Sequence, residues 1–403
     1  MVLYMRFDPV FRMVVMSDIH YKADIPTEPE RFKKGMELAY KYARKNSYSA
    51  IDALFVVGDF ANRGQEDEML LFKNSLSESV APETETVLML ASHEFMSAGV
   101  EAAYEKLGRI FSKAPDEHKV INGFHCISMS CDKGCEIQEK KQEWLKRELA
   151  IAADDDWKKP IFVFQHPHLS GTVYGSINWG ENDIISILMN YPQVVDFSGH
   201  SHAPINDPRS VHQKYFSSFG TGSLSYFELD EFDKLGGTVP LNAHECAQFL
   251  IVEVDAQNRV LVKPFDILSG EFFENEWLIE KPHDPGSFTY TDARYRNPEK
   301  PFFDTDTFVK VEKEENGYFI AFGQAKGIKE RIDSYTVVIK DKSCGRIVKQ
   351  LNETSSYYIY KMPEVIRIPL GALTKGEYVA QISANGFWNN ASEKFIYSFE
   401  VFE

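Results

Sequence analysis

Five short apolar runs in the first two hundred residues each stop on residue types that bind metals, and this recurrence restricts the fold more than any other feature. Arg12 to Ser17 leads into Ser17-Asp18-Ile19-His20, and Ala53 to Val57 into Gly58-Asp59-Phe60-Ala61-Asn62-Arg63-Gly64. Thr86 to Ala91 stops on Ser92-His93-Glu94, Ile161 to Phe164 on Gln165-His166-Pro167-His168, and Val194 to Phe197 on Ser198-Gly199-His200-Ser201-His202. Short apolar runs without alternation are strands covered on both faces. Helical patterns separate them. Thr27-Glu28-Pro29-Glu30 reads as a capping box with an early-turn proline, opening a helix with Phe32, Met36, Ala39, Tyr40 and Ala43 on one face. Strands alternating with helices predict an α/β fold with covered sheets. In such sheets ligands bind outside the carboxyl ends of the strands, so the five polar endings are expected to converge.

The spacings within the endings suit metal binding. Asp-x-His and His-x-His set alternate side chains of an extended segment on one side, within reach of one cation or two adjacent ones. Imidazole and carboxylate together favour Mn, Fe or Zn over calcium. Gly58 and Gly199 are expected to let the backbone turn tightly ahead of Asp59 and His200.

Taken in order, these residues resemble the signature of the calcineurin-like metallophosphoesterases: D-x-H, then G-D-x(n)-G, G-N-H-[ED], H and G-H-x-H. The resemblance runs over roughly residues 10 to 275. It implies a four-layer α/β/β/α sandwich with its site at the strand ends. It also implies two divalent or trivalent ions of Mn, Fe or Zn. Asp18, His20, Asp59 and His202 would hold one, and Asp59, His166, His200 and the residue at the family's asparagine position would hold the other, with Asp59 bridging. That position carries the one departure, because Gly-Asn is replaced by Ala91-Ser92. Ser92 is a shorter neutral donor, so the second ion is expected to bind more weakly. His93 matches the family's catalytic histidine. Ser198 to Gln213, with Asp207-Pro208-Arg209-Ser210, and Gly220-Thr221-Gly222-Ser223 resemble the bacterial cyclic-nucleotide-phosphodiesterase-like branch.

The activity implied is hydrolysis of a small phosphate monoester or diester by a metal-activated hydroxide, with His93 acting on the leaving oxygen. Glu94 would hold the His93 ring or face solvent. Arg63, His168 and Tyr174 are expected near the substrate. His118, His125, His212, His244 and His283 lack motif context and are read as structural. Two competing readings are a metal-holding protein that lost turnover through Ser92, and a protein that acts through its C-terminal part.

The remaining composition sets limits. A chain of 403 residues is expected to form two or three domains. Its net charge of −16 repels a nucleic-acid duplex or an anionic membrane. No apolar run reaches the ~18 to 20 residues of a membrane-spanning helix. The opening residues do not read as a secretory signal, which predicts a cytoplasmic protein, or a secreted or cell-surface one if a leader has been removed. Cys126, Cys131, Cys135, Cys246 and Cys344 are an odd, scattered set and read as reduced thiols.

After about residue 212 the rhythm changes. Phe249 to Asp255 and Arg259 to Phe265 read as strands joined at Gln257-Asn258. Prolines 282, 285, 298 and 301 mark residues 281 to 301 as a linker between a domain of residues 1 to 280 and another of 302 to 403. In the latter, FVKVEKEENGYFIAF, SYTVVIKD, VIRIPL, EYVAQISA and FIYSFEVF predict a small all-β sandwich. Leu370 to Tyr378 resembles the tyrosine corner of fibronectin type III domains. This domain contains no histidine, so the chemistry is assigned to the first domain, and the sandwich is expected to bind a protein or polymer.

Overall fold

The computed structural model describes residues 6–230 and 239–402, which form two compact units, one ending at Thr291 and the other starting at Asp292. In chain order the first unit contains β1 (Pro9–Met16), α1 (Thr27–Arg44), β2 (Ala53–Val57), α2 (Glu66–Ser79), β3 (Glu85–Met89), α3 (Val100–Lys106), β4 (Asp116–Ile121) and β5 (Phe124–Met129). It continues with α4 (Glu139–Asp155), β6 (Ile161–Phe164), the short pair β7 (His168–Leu169) and β8 (Gly180–Glu181), β9 (Val194–Ser198), β10 (Val211–Gln213) and β11 (Ser217–Gly220). The unit's last strands are β12 (Gln248–Asp255), β13 (Val260–Asp266), β14 (Glu271–Phe272) and β15 (Trp277–Ile279).

Two sheets result. One runs β14-β13-β12-β1-β2-β3, with β15 also on β13, and the other β10-β11-β9-β6-β5-β4. β1, β2 and β3 are mutually parallel, as are β5, β6, β9 and β11, so the five motif-bearing ends emerge on the carboxyl side of parallel strands. Side-chain alternation builds the layers. Val14, Met16, Leu54, Val56 and Leu88 face Phe32, Met36, Ala39 and Phe72 of α1 and α2. Met13, Val15, Phe55 and Val57 face the other sheet through Phe162, Phe164, Val195 and Phe197. On that sheet's far side, Ile127, Ile161 and Val163 pack on Leu145, Leu149 and Ala152 of α4. The order helix, sheet, sheet, helix is the expected four-layer sandwich. At its centre Phe55 stacks on Phe164, ring centroids 3.8 Å apart and 6° from parallel. Such a pair contributes about 0.5–1.5 kcal/mol beyond its buried area.

Local details differ from expectation. α1 begins at Thr27 with no side-chain cap, because Glu30 N–H already donates to the Pro26 carbonyl at 3.0 Å. Glu28 is buried instead and pairs with Lys22 at 3.1 Å. The capping box lies at α2, where Gln65 and Glu68 cap each other reciprocally. The stretch expected to act as a linker is packed up to the unit boundary: Leu278 N–H donates to the Tyr290 hydroxyl, and Gln213 N–H to the Tyr290 carbonyl, both at 2.9 Å.

The second unit is all antiparallel. β16 (Val309–Glu314), β17 (Gly317–Gly323) and β20 (Val365–Gly371) form one sheet. β19 (Ile347–Thr354), β18 (Ser334–Asp341), β21 (Gly376–Asn385) and β22 (Phe395–Val401) form the other. Ile320, Phe322, Tyr335, Val337, Ile366, Ala380 and Ile382 fill the space between them. The Tyr378 hydroxyl donates to the Thr374 carbonyl at 2.8 Å, a side chain reaching back to backbone a few residues upstream.

Candidate metal centre

Each ending leaves its strand and turns sharply. Asp18, His20, Asp59, His200 and His202 all adopt positive φ, from 50° to 73°. Left-handed backbone at a non-glycine residue costs about 1–3 kcal/mol and persists only where the surroundings impose it. Here the loops hold one another. Ile19 and His20 N–H both donate to the Asp59 carbonyl, at 2.9 and 3.0 Å, and Asp18 N–H donates to the Gly58 carbonyl at 3.2 Å. Ser223 Oγ donates to the Asp18 carbonyl at 2.9 Å, so the Gly220–Ser223 segment braces the first motif from behind.

The two glycines serve different ends. Gly58 has φ +81°, and a Cβ there would lie 2.5 Å from Nδ1 of His166. Gly199 is not left-handed, contrary to its expected role as a turn glycine. It is needed because a Cβ would lie 2.5 Å from Oδ2 of Asp18.

Three overlapping sets of side chains converge: Asp18 with His20 and His202, His20 with Asp59 and His93, and Asp59 with His166 and His200, each set offering ligand atoms within 4.8 Å of one another. Asp18 Oδ1 lies 3.2 Å from His202 Nε2 and 3.8 Å from His166 Nε2. Asp59 Oδ2 lies 3.0 Å from His166 Nε2 and 4.0 Å from His93 Nε2. The two Nε2 atoms of His20 and His202 are 3.1 Å apart. Asp59 and His20 each belong to two of the sets.

Outer contacts aim these atoms inward. Nδ1 of His166 meets the Val57 carbonyl at 2.7 Å, Nδ1 of His202 the Tyr226 carbonyl at 3.0 Å, and Nδ1 of His93 the Asn62 carbonyl at 2.7 Å. In each case Nε2 is left to face the centre, the usual way of orienting a metal-binding imidazole. The carboxylates are treated alike. Asp18 Oδ2 accepts from Ser17 Oγ at 2.5 Å and from His200 N–H at 3.1 Å, and Asp59 Oδ1 accepts from His93 N–H at 3.0 Å. Asp18 Oδ1 and His166 Nε2 are then buried with charged partners alone, His202 Nε2 at 3.2 Å from the first and Asp59 Oδ2 at 3.0 Å from the second. A cation would take the place of the protons that such carboxylate–imidazole pairs share, so the donor set fits a metal.

The electrostatics agree. Burial opposes ionisation of Asp18 and Asp59, yet neighbouring imidazoles, chiefly His202 and His166 for Asp18 and His166 for Asp59, hold both carboxyls well below the usual range. Burial also disfavours charge on His166 and His202, but the carboxylates outweigh it and raise both. Burial and His202 push His20 down to about 3. Protons on His166 and His202 therefore sit where a cation would, so metal binding should release them and weaken as pH falls.

Ser92 reaches the site at its rim, its Oγ 3.4 Å from Asp59 Oδ2. His93 is partly exposed, its side chain 27% accessible. Glu94 takes neither expected role. It is fully buried and accepts from the N–H groups of Asp59, Ala61 and Ala91 at 3.1, 2.8 and 2.9 Å, fixing the Asp59 turn. Burial and the Asp59 charge push it up to about 8.

The residues expected near substrate fall in different places. His168 is buried with Nδ1 and Nε2 committed to the hydroxyls of Ser198 and Ser201, at 2.8 and 2.6 Å, so it props the fifth motif and has no nitrogen left for substrate. Tyr174 accepts from Asp230 N–H at 2.9 Å and lies under the Arg209 guanidinium at 3.9 Å. Arg63 is exposed on the turn that follows Asp59. Two neighbours were not anticipated from sequence, Trp179 edge-on to the His200 ring at 5.3 Å and Tyr226 against His202 at 4.3 Å, while Cys135, read from sequence as a reduced thiol in preference to a metal contact, lies 3.4 Å from His200 Nε2.

Residues 11–204 match the family model described as calcineurin-like phosphoesterase, which covers all five motifs and stops short of β12 and β13. No curated protein sequence matches the chain. Among solved structures, purple acid phosphatase from seeds of yellow lupin (Lupinus luteus) is 14% identical, with 68% of this chain and 54% of that one covered and a TM-score of 0.46. The chain thus spans about half the length of the lupin protein. PhoD is 10% identical, with 68% and 69% covered and a TM-score of 0.39.

Proposed function

Residues 11–204 form a calcineurin-like phosphoesterase domain, and from that premise we propose that the protein hydrolyses small phosphate esters at two cations bridged by Asp59. Asp18, His20, Asp59 and His202 would hold one cation, and Asp59, His166 and His200 the other, with Ser92 at the edge of the second. The observation that carries this reading is the convergence of two buried carboxylates and five imidazoles in three overlapping sets whose ligand atoms lie within 4.8 Å of one another, with Asp18 Oδ1 and His166 Nε2 3.8 Å apart at the centre. Bound cations of this kind supply Lewis acidity toward phosphoryl oxygens and make water acidic enough to serve as the nucleophile near neutral pH.

The chain's own groups do the rest. Asp18 and Asp59, already ionised, supply the negative charge that retains the cations. His93 is half-buried, as is His200, and its bond to the Asn62 carbonyl fixes Nδ1 as the protonated nitrogen. Nε2 therefore points outward into the site, able to carry a proton to a departing oxygen. An acid so placed contributes about 10² to 10⁴ in rate.

The test is hydrolysis of bis-p-nitrophenyl phosphate and p-nitrophenyl phosphate by the full chain, before and after chelation and after return of Mn, Fe or Zn. Chelation should abolish turnover and one of these metals should restore it. Turnover indifferent to chelators would overturn the reading. The same panel, extended to cyclic nucleotides, separates diester from monoester preference.

A further inference from the structure

Away from the metal centre, two imidazoles and two carboxylates form an unbroken chain of hydrogen bonds between α4 and the edge of the sheet beneath it. His118 on β4 and His125 on β5 are diagonal neighbours, since Val120 is the residue opposite His125, and their ring centroids lie 5.0 Å apart. Nε2 of His118 meets Nδ1 of His125 at 2.8 Å, Nδ1 of His118 meets Glu148 Oε2 at 2.7 Å, and Nε2 of His125 meets Asp155 Oδ2 at 3.4 Å. Glu148 and Asp155 stand two turns apart along one face of α4. All four ring nitrogens are therefore engaged. The imidazoles are only 11% and 8% exposed, so water has little access to stand in for a missing partner, while Asp155 is the end of the chain open to solvent.

The geometry dictates how many protons this chain holds. Each of its three bonds needs one, and two neutral imidazoles facing two ionised carboxylates bring only two. The cluster thus holds one proton more than its members would bring separately, and it belongs to the group as a whole. Without that proton, one contact sets two lone pairs against each other. With a further proton on the rings, two N–H groups meet head-on at the 2.8 Å contact. The other charged groups of the packed elements have partners of their own or face water. Asp116 on β4 pairs with Lys141 on α4 at 2.9 Å, Glu117 with Lys119 at 3.4 Å, and Lys159 donates to the Gly123 carbonyl at 3.0 Å. Lys146, Arg147 and Asp154 are exposed, and β6 sets the apolar Ile161 opposite His125.

We infer that His118 and His125 form a proton-operated latch: a single extra proton, shared with Glu148 and Asp155, fastens the C-terminal half of α4 to the edge strand β4. Loss of that proton as pH rises, or gain of a second as pH falls, releases this half of the helix, while the Asp116–Lys141 pair holds the other end. The latch is independent of the metal centre and of the reaction proposed there.

The experiment takes the full chain, labelled with nitrogen-15 at histidine, through a pH series, read by NMR of the ring nitrogens and by amide hydrogen exchange corrected for its intrinsic pH dependence. His118→Gln and His125→Gln assign the ring signals. An interval should exist in which the cluster holds three protons, and both rings should leave it together at each end. Amides of residues 148–155 should exchange slowest in that interval and at least ~10-fold faster outside it, the effect of losing one charge-assisted hydrogen bond. His125→Leu should exchange fast there at every pH, with amides near Lys141 protected in both proteins. Two protons on the rings throughout, rings that titrate independently, or α4 exchange with the same profile in wild type and His125→Leu would overturn the latch. A variant that does not fold leaves the proton count in wild type to decide.

Discussion

Gly58→Ala probes whether the left-handed turn before Asp59 and the position of His166 are a single constraint. The added Cβ would lie 2.5 Å from His166 Nδ1, 2.7 Å from its Cγ and 3.0 Å from the Ala91 Cβ, at φ +81°. Left-handed backbone at alanine costs about 1–2 kcal/mol. Displacing the imidazole breaks its 2.7 Å bond to the Val57 carbonyl, worth about 0.5–1.5 kcal/mol, and overpacking a closed site adds about 1–3 kcal/mol. The sum is about 3–6 kcal/mol. Gly99→Ala is the control, because Gly99 has φ +84° with ψ 179° and nothing within 4 Å of its Cβ position, so only the backbone cost of that glycine-favoured conformation, about 1–3 kcal/mol, should appear. Urea unfolding of the metal-free chain reads this difference through tryptophan fluorescence, since Trp144, Trp157, Trp179 and Trp277 all lie in the first unit. Metal content after reloading should fall by the equivalent held at His166. Gly58→Ala no less stable than Gly99→Ala, with full metal content, would refute the coupling.

Asp59→Asn should strip metal from both positions, whereas His93→Ala should keep its metal and turn over ~10² to 10⁴ more slowly; elemental analysis beside kcat distinguishes them, and an empty His93→Ala protein would disprove the role given to His93. Phe55→Ala removes a fully buried ring stacked between the sheets and should cost about 3–5 kcal/mol in urea unfolding, with a loss below 1 kcal/mol counting against the two-sheet core. Asp196 is buried, and burial pushes its carboxyl from the ordinary value of 3.8 up to about 7 despite a 3.2 Å bond from Gln165. The folded state therefore binds the extra proton between those values, so wild-type stability should fall as pH rises from about 4 to 7, by at most about 4 kcal/mol. Asp196→Asn should lack that decline, and parallel pH profiles for the two proteins would rule it out.

The parts of the fold that were legible in sequence were those set by continuous burial. Ala53–Val57 and Ile161–Phe164 are strands with the expected limits because every residue in them is buried, so apolar character and strand coincide. β19, Ile347–Thr354, was missed because it is an edge strand paired only with β18, with one residue fully buried, leaving it largely polar and without a pattern. The α1 start was misjudged because Thr-x-x-Glu spacing says nothing about whether a preceding proline carbonyl will open the helix first. The candidate metal-binding residues were legible for a different reason. Each follows a buried strand directly, so its position in space is set by the strand and needs no further knowledge of the chain's path.

Cys135 and Glu94 mark where that logic stops. Cys135 lies on the connection between β5 and α4 and meets the His200 ring, 3.4 Å from its Nε2, only through tertiary packing of that loop, so no spacing in the sequence pairs the two. Glu94 does follow a strand, and its position in the motif suggested a partner for His93 or for water. The three backbone N–H groups of Asp59, Ala61 and Ala91 converge on it instead, because a left-handed turn at Asp59 leaves donors that no strand partner can satisfy. A shorter side chain would leave buried donors unpaired at about 1–3 kcal/mol each. The acid in the third motif is thus explained by the geometry of the second: Asp59 can hold its strained turn at a metal centre because Glu94 accepts the hydrogen bonds that the turn exposes.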